Sequence, residues 1–139
     1  MLSAVLQLRQ TEAKPFSVKV CLTAQVDNGA TRNRMSLARW KQYSHLLGRA
    51  LLSKTKLSMA NGCRLWPYGR WWGKVSVGGV SAFASFEIFE CGNMFDILLG
   101  KSWLHSVRAL HNYETDEIRI RSSGRKAVLY NEPRVIEAR

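Results

Sequence analysis

Every second residue is apolar in one stretch after another of this 139-residue chain, and turn-forming pairs separate the stretches. Strand side chains alternate between two faces, so the pattern predicts half-buried strands joined by tight connections. Ala4-Val5-Leu6-Gln7-Leu8 and Phe16-Ser17-Val18-Lys19-Val20-Cys21-Leu22 flank a polar stretch from Gln10 to Pro15, which reads as a hairpin. The second strand runs on through Ala24 and Val26 and stops at Asp27-Asn28-Gly29. Asn-Gly marks a turn because both residues tolerate positive φ.

The period then changes. Ser36 is placed to cap a helix on which Leu37, Trp40, Tyr43 and Leu47 share one face, and Gly48 is placed to end it. Arg39, Lys41 and Gln42 fall on the opposite, solvent-facing side.

Strand patterning returns in the second half. Lys56 to Ala60 leads through Asn61-Gly62 into Cys63 to Tyr68, a hairpin with an exposed tip. Lys74-Val75-Ser76-Val77 and Val80 to Glu90 flank Gly78-Gly79. In the longer strand Val80, Ala82, Ala84, Phe86 and Ile88 share one face, with Ser81, Ser85 and Glu87 on the other. Phe95 to Leu99 is a short apolar strand ending at Gly100. Ser102 is expected to cap a short helix carrying Trp103, Leu104, Val107 and Leu110. A last pair, around His111 to Tyr113 and Ile118 to Ile120, crosses a Thr115-Asp116 turn. Trp66, Tyr68, Trp71 and Trp72 are expected to pack the hairpin onto the body rather than to stack on bases.

The expected architecture is mainly β: a small closed or folded-over barrel with one or two short helices, because a flat sheet would leave long edges exposed. A single domain over residues 1–121 and a polar tail over 122–139 fit this length.

Lysine and arginine number 21 against 10 acids, a net charge of +11. Residues 1–70 hold 12 basic and 2 acidic side chains, the acids being Glu12 and Asp27; residues 71–139 hold 9 and 8. A basic half can attract nucleic acid or an acidic partner, although scattered charges are more often a solvated face. Cys21, Cys63 and Cys91 form no C-x-x-C, and with His45, His105 and His111 they match no zinc spacing, so no metal or cofactor is expected. No apolar run approaches the roughly 20 residues of a membrane span, and no signal-like segment opens the chain, which reads as intracellular.

Val26-Asp27-Asn28-Gly29-Ala30 is the segment on which chemistry can be placed: a carboxylate at the mouth of a glycine-containing turn directly after an apolar strand. It resembles the apolar-Asp-Thr/Ser-Gly-Ala active-site loop of retroviral-type aspartic proteases, especially those of LTR retrotransposon polyproteins and their fungal relatives. Met59-Ala60-Asn61-Gly62 and the strand after it look like that family's flap. Phe95-Asp96-Ile97-Leu98-Leu99-Gly100-Lys101-Ser102-Trp103-Leu104 is similar to its second signature, in which Leu98, Leu99 and Gly100 support the loop. The resemblance runs from about Phe16 to Ile120.

The resemblance implies an acid-protease-like β-barrel and an aspartic endopeptidase that hydrolyses peptide bonds through an activated water. Such chemistry needs two carboxylates about 3 Å apart sharing one proton. Asp27 is the one Asp-x-Gly acid after an apolar strand; Asp96 precedes its apolar pair and Asp116 sits in a polar turn. The implied assembly is a homodimer in which Asp27 faces Asp27 of a partner, acting on a peptide or polyprotein substrate. Asn28 departs from the family, which has Thr or Ser there to hydrogen-bond across the dimer. A catalytically silent domain of the same fold, serving dimerisation or peptide binding, is therefore the alternative expectation. A basic nucleic-acid-binding module is the third.

Overall fold

A computed structural model of the chain describes residues 2–8, 19–48, 50–52, 57–58, 64–65, 67–92 and 94–130. In chain order the first elements are β1 (Leu2–Leu8), β2 (Lys19–Val26), β3 (Asn33–Ser36), α1 (Leu37–Leu47), β4 (Leu57–Ser58) and β5 (Arg64–Leu65). There follow β6 (Gly69–Val77), β7 (Val80–Phe89), β8 (Ile97–Leu99), α2 (Lys101–Ser106), β9 (Leu110–Asn112), β10 (Glu117–Ser122) and β11 (Arg125–Tyr130).

Six strands close into a barrel in the order β1-β2-β8-β3-β7-β6, with β6 pairing back onto β1. Closure removes the open edges that a flat sheet of these strands would expose. The expected hairpins form within it: β1 pairs antiparallel with β2, and β6 with β7 across Gly78-Gly79. Alternation holds almost perfectly in β2, where Val20, Leu22, Ala24 and Val26 are buried and the residues between them exposed. These side chains meet Leu6, Met35, Trp71, Val75, Phe86, Ile88, Ile97 and Leu99 in the barrel interior. β9, β10 and β11 form a second, antiparallel sheet, whose Ile118, Ile120 and Leu129 join the same core.

Helix α1 begins and ends where its sequence signals place it. The Ser36 hydroxyl accepts from the Arg39 N–H, and Gly48, at φ 89°, donates its N–H to the Ser44 carbonyl. Trp40 and Leu47 are buried, and the Leu47 carbonyl accepts the indole N–H of Trp71 at 2.7 Å. That bond ties the end of the helix to the start of β6 and satisfies a donor that burial would otherwise strand.

The structure corrects several details of the sequence reading. Glu87 does not lie on an exposed face: it is 2 % accessible, and its Oε1 accepts two bonds from the Arg70 guanidinium opposite it, at 2.8 and 3.1 Å. Both helices and the β9–β11 sheet contact β7, so the far end of this strand is covered on both sides and needs a cation rather than water. Arg39 is also engaged, through Asp96. Helix α2 is capped at Gly100 rather than by the Ser102 side chain, and Leu110 lies beyond it, exposed in β9. Of the aromatics, Trp71 is a core residue tilted against Phe86, whereas Trp72 stacks on Phe83 outside the barrel and Tyr68 is exposed. Trp66 lies outside the described residues. Residues 125–130, read from sequence as part of a polar tail, form β11 against β10.

Candidate active site

Asp27 follows the last residue of β2, and its position is set by the strand beside it. β2 and β8 run parallel, with Val26 level with Leu99, and the Asp27 N–H donates to the Leu99 carbonyl at 3.0 Å. The Asp27 carbonyl accepts from the Ala30 N–H at 3.2 Å, closing the turn, while Oδ1 accepts from the Gly29 N–H at 2.8 Å. Gly29 lies so near this carboxylate that a Cβ there would stand 3.1 Å from Oδ1. Asp27, Asn28 and Gly29 are exposed; Ala30 is buried.

Below the loop, α2 is stitched to it. The first N–H groups of a helix have no partner within the helix. Here those of Lys101 and Ser102 donate to the carbonyls of Ala30 and Thr31, at 2.7 and 3.2 Å. The Leu99 carbonyl and Gly100 meet the loop, and the approach at Gly100 is close enough to require glycine. A Cβ on Gly100 would meet the carbonyl oxygens of Ala30 and Arg32 at 2.7 Å each.

Sequence reasoning missed three members of this assembly. Asn33, 2 % accessible, accepts the Gly100 N–H on Oδ1 at 2.9 Å and donates from Nδ2 to the Ser85 carbonyl, joining loop, helix start and β7. Tyr113 accepts a bond from Asn28 Nδ2 at 3.0 Å, so the amide finds a partner in its own chain. His111 packs against the Tyr113 ring with centroids 4.1 Å apart and hydrogen-bonds Asp116 at 2.7 Å. No local pattern marks Asn33 and Tyr113, because their partners are distant in sequence. A cavity of about 510 Å³ opens between the loop and the β9–β10 sheet. Asp27, Asn28, His111 and Tyr113 line it, with Leu104 and Ile118 among its apolar walls.

Asp96 is committed elsewhere. Asp96 lies at the opposite end of β8 from the Asp27 anchor, roughly 10 Å away at about 3.3 Å per strand residue. It accepts from Arg39 Nε at 2.7 Å and from the Thr23 hydroxyl and N–H at 2.7 and 3.1 Å. Burial works to raise its pKa, but the bonds from Arg39 and Thr23 outweigh burial and hold it below the ordinary carboxylate value. The same pairing raises the Arg39 pKa. A carboxyl whose folded pKa is lowered contributes stability above its unfolded value, about 3.9, and loses it as pH falls through the folded value. The unfolding temperature is therefore expected to drop as pH is lowered below about 4, and Asp96→Asn to flatten part of that drop in a calorimetric pH series. The Cys91 thiol pKa is pushed up by burial, which leaves it a poor nucleophile.

Met59, Ala60, Asn61 and Gly62, the expected flap tip, lie outside the described residues. The strands on either side, β4 and β5, pair antiparallel as a hairpin requires, with Leu57 opposite Leu65.

The closed six-stranded barrel with its two short helices has a retropepsin-like fold. Among solved structures, the retroviral protease-like domain of Ddi1 from Leishmania major is similar over 86 % of each chain, at a TM-score of 0.56 and 18 % identity. A Legionella pneumophila protein of unknown function, Lpg0085, aligns over 64 % of this chain and 77 % of its own, at a TM-score of 0.40 and 10 % identity. No protein-family model and no curated protein sequence matches. No helix among the described residues is long and apolar enough to cross a membrane.

Proposed function

We propose that this chain is an aspartic endopeptidase of retroelement origin, active as a homodimer to which each protomer contributes Asp27. The observation that carries this reading is the exposed Asp27 carboxylate on a turn anchored to Leu99 and backed by Gly100. Paired across a two-fold axis, two such groups share one proton, because like charges so close cannot both ionise. The ionised member takes a proton from water as the water attacks the scissile carbonyl, and the protonated member supports the developing oxyanion. The apolar walls of the cavity beside Asp27 suit an apolar side chain of an extended peptide. The outer face of the β9–β11 sheet favours a second copy, since Leu110, Val128 and Tyr130 share it and are exposed.

A half-site enzyme has a kinetic signature. Where dimers are sparse, cleavage of a peptide library at mildly acidic pH is expected to rise with the square of chain concentration and become linear once pairing saturates. A rate proportional to concentration throughout would rule out a site shared between protomers. The Asn28–Tyr113 bond favours a second reading, a silent domain of the same fold, because it commits within one chain a polar group that the family directs across the dimer. That reading expects a dimer that cleaves nothing until Asn28→Thr restores a hydroxyl.

A further inference from the structure

We infer that a basic recess between the end of α2 and the β10–β11 turn binds the phosphate backbone of a single-stranded nucleic acid. The recess holds about 430 Å³ and shares no lining residue with the cavity at Asp27. Arg108, Arg121, Arg125 and Lys126 line it together with the hydroxyl-bearing Ser122 and Ser123. All four basic residues are exposed, and among the described residues none has a carboxylate within ion-pair distance.

The sequence count hides this site. Residues 71–139 are nearly neutral, with 9 basic and 8 acidic side chains. Two of those acids are spent on cations of the other half, Glu87 on Arg70 and Asp96 on Arg39, and Glu117 is held by Arg119. The folded surface therefore carries uncompensated positive charge where the composition shows balance. Arg121 stands directly opposite Lys126 across the β10–β11 ladder, an arrangement of like charges that costs stability unless an anion neutralises it. Arg108 and Ser123, both at positive φ (50° and 51°), hold the two rims of the recess in bends that L-residues seldom adopt. Phosphate is the anion class that several guanidinium forks and hydroxyls recognise together. A flexible single strand can turn its phosphates into so small a recess, whereas a duplex resists bending over this distance.

The test is fluorescence anisotropy of the full chain with a short labelled oligodeoxythymidine, titrated between about 50 and 200 mM salt. Wild type is expected to bind with an affinity that falls steeply with salt, by roughly 0.7 in log–log slope per phosphate contact. Arg108→Gln with Arg125→Gln is expected to weaken binding about tenfold and to lower the slope by about 1.4. Lys19→Gln with Lys41→Gln removes the same charge from exposed sites elsewhere and is expected to leave affinity within about twofold. An equal loss in both double variants would show that net charge alone attracts the strand and would overturn the site. So would the absence of saturable binding by wild type, or binding only to phosphatidylserine vesicles through the same two arginines.

Discussion

A chain carrying Asp27→Asn is expected to fold and to pair like wild type, yet to hydrolyse peptides about 10³-fold more slowly or worse. The backbone bonds that seat residue 27, to Leu99 and Ala30, do not involve its side chain. The one side-chain bond, from the Gly29 N–H to Oδ1, is available to an amide oxygen as well. Folding and geometry are therefore preserved while the proton-accepting group is lost. Unfolding temperature and kcat/KM measured on the same preparation separate the two effects. Mixing adds a second readout: if each site needs both carboxyls, an equimolar mixture of wild type and variant keeps about a quarter of its sites intact. Activity falling only by half, or a variant within tenfold of wild type, would place the chemistry on another group.

The parts of the fold that could be read from sequence are those fixed by local rules. Helix α1 lies where Ser36, the spacing of Leu37, Trp40, Tyr43 and Leu47, and Gly48 put it, because capping and helical period depend only on near neighbours. The β6–β7 hairpin follows in the same way from Gly78-Gly79. Strand β3 escaped notice. It is four residues long, its burial does not alternate, and it exists because β7 and β8 flank it, each more than 50 residues away. The site divides along the same line. Asp27, Gly29 and Gly100 stand in recognisable local patterns, whereas Asn33 and Tyr113 act through partners 67 and 85 residues distant. Glu87 shows the limit of alternation as a guide: it follows the period of an outward position on a strand whose outer side is itself covered.

Gly100→Ala is expected to lower stability by about 3 kcal/mol, at the upper end of what one inserted methyl costs in a packed site. The new Cβ would stand 2.7 Å from two carbonyl oxygens, those of Ala30 and Arg32. Neither can swing aside like the end of a side chain. Both belong to backbone, and Ala30 O is already held by the Lys101 N–H. The φ of Gly100, −95°, is ordinary for any residue, so the cost is one of contact and not of backbone preference. Gly79→Ala supplies the opposite case, with φ at 82° and nothing within 4 Å of a new Cβ, and is expected to cost about 1 kcal/mol through conformation alone. Urea midpoints of the two variants test the comparison, with similar shifts counting against a clamped loop. The consequence for the site runs through Leu99: a Gly100 pushed away from Ala30 draws with it the carbonyl that fixes the Asp27 N–H. A displacement of about 1 Å at a reacting group is enough to cost on the order of 10²-fold in rate. Gly100→Ala should thus impair peptide cleavage even below its unfolding temperature, while Gly79→Ala, on the turn between β6 and β7, should leave cleavage by the folded protein intact.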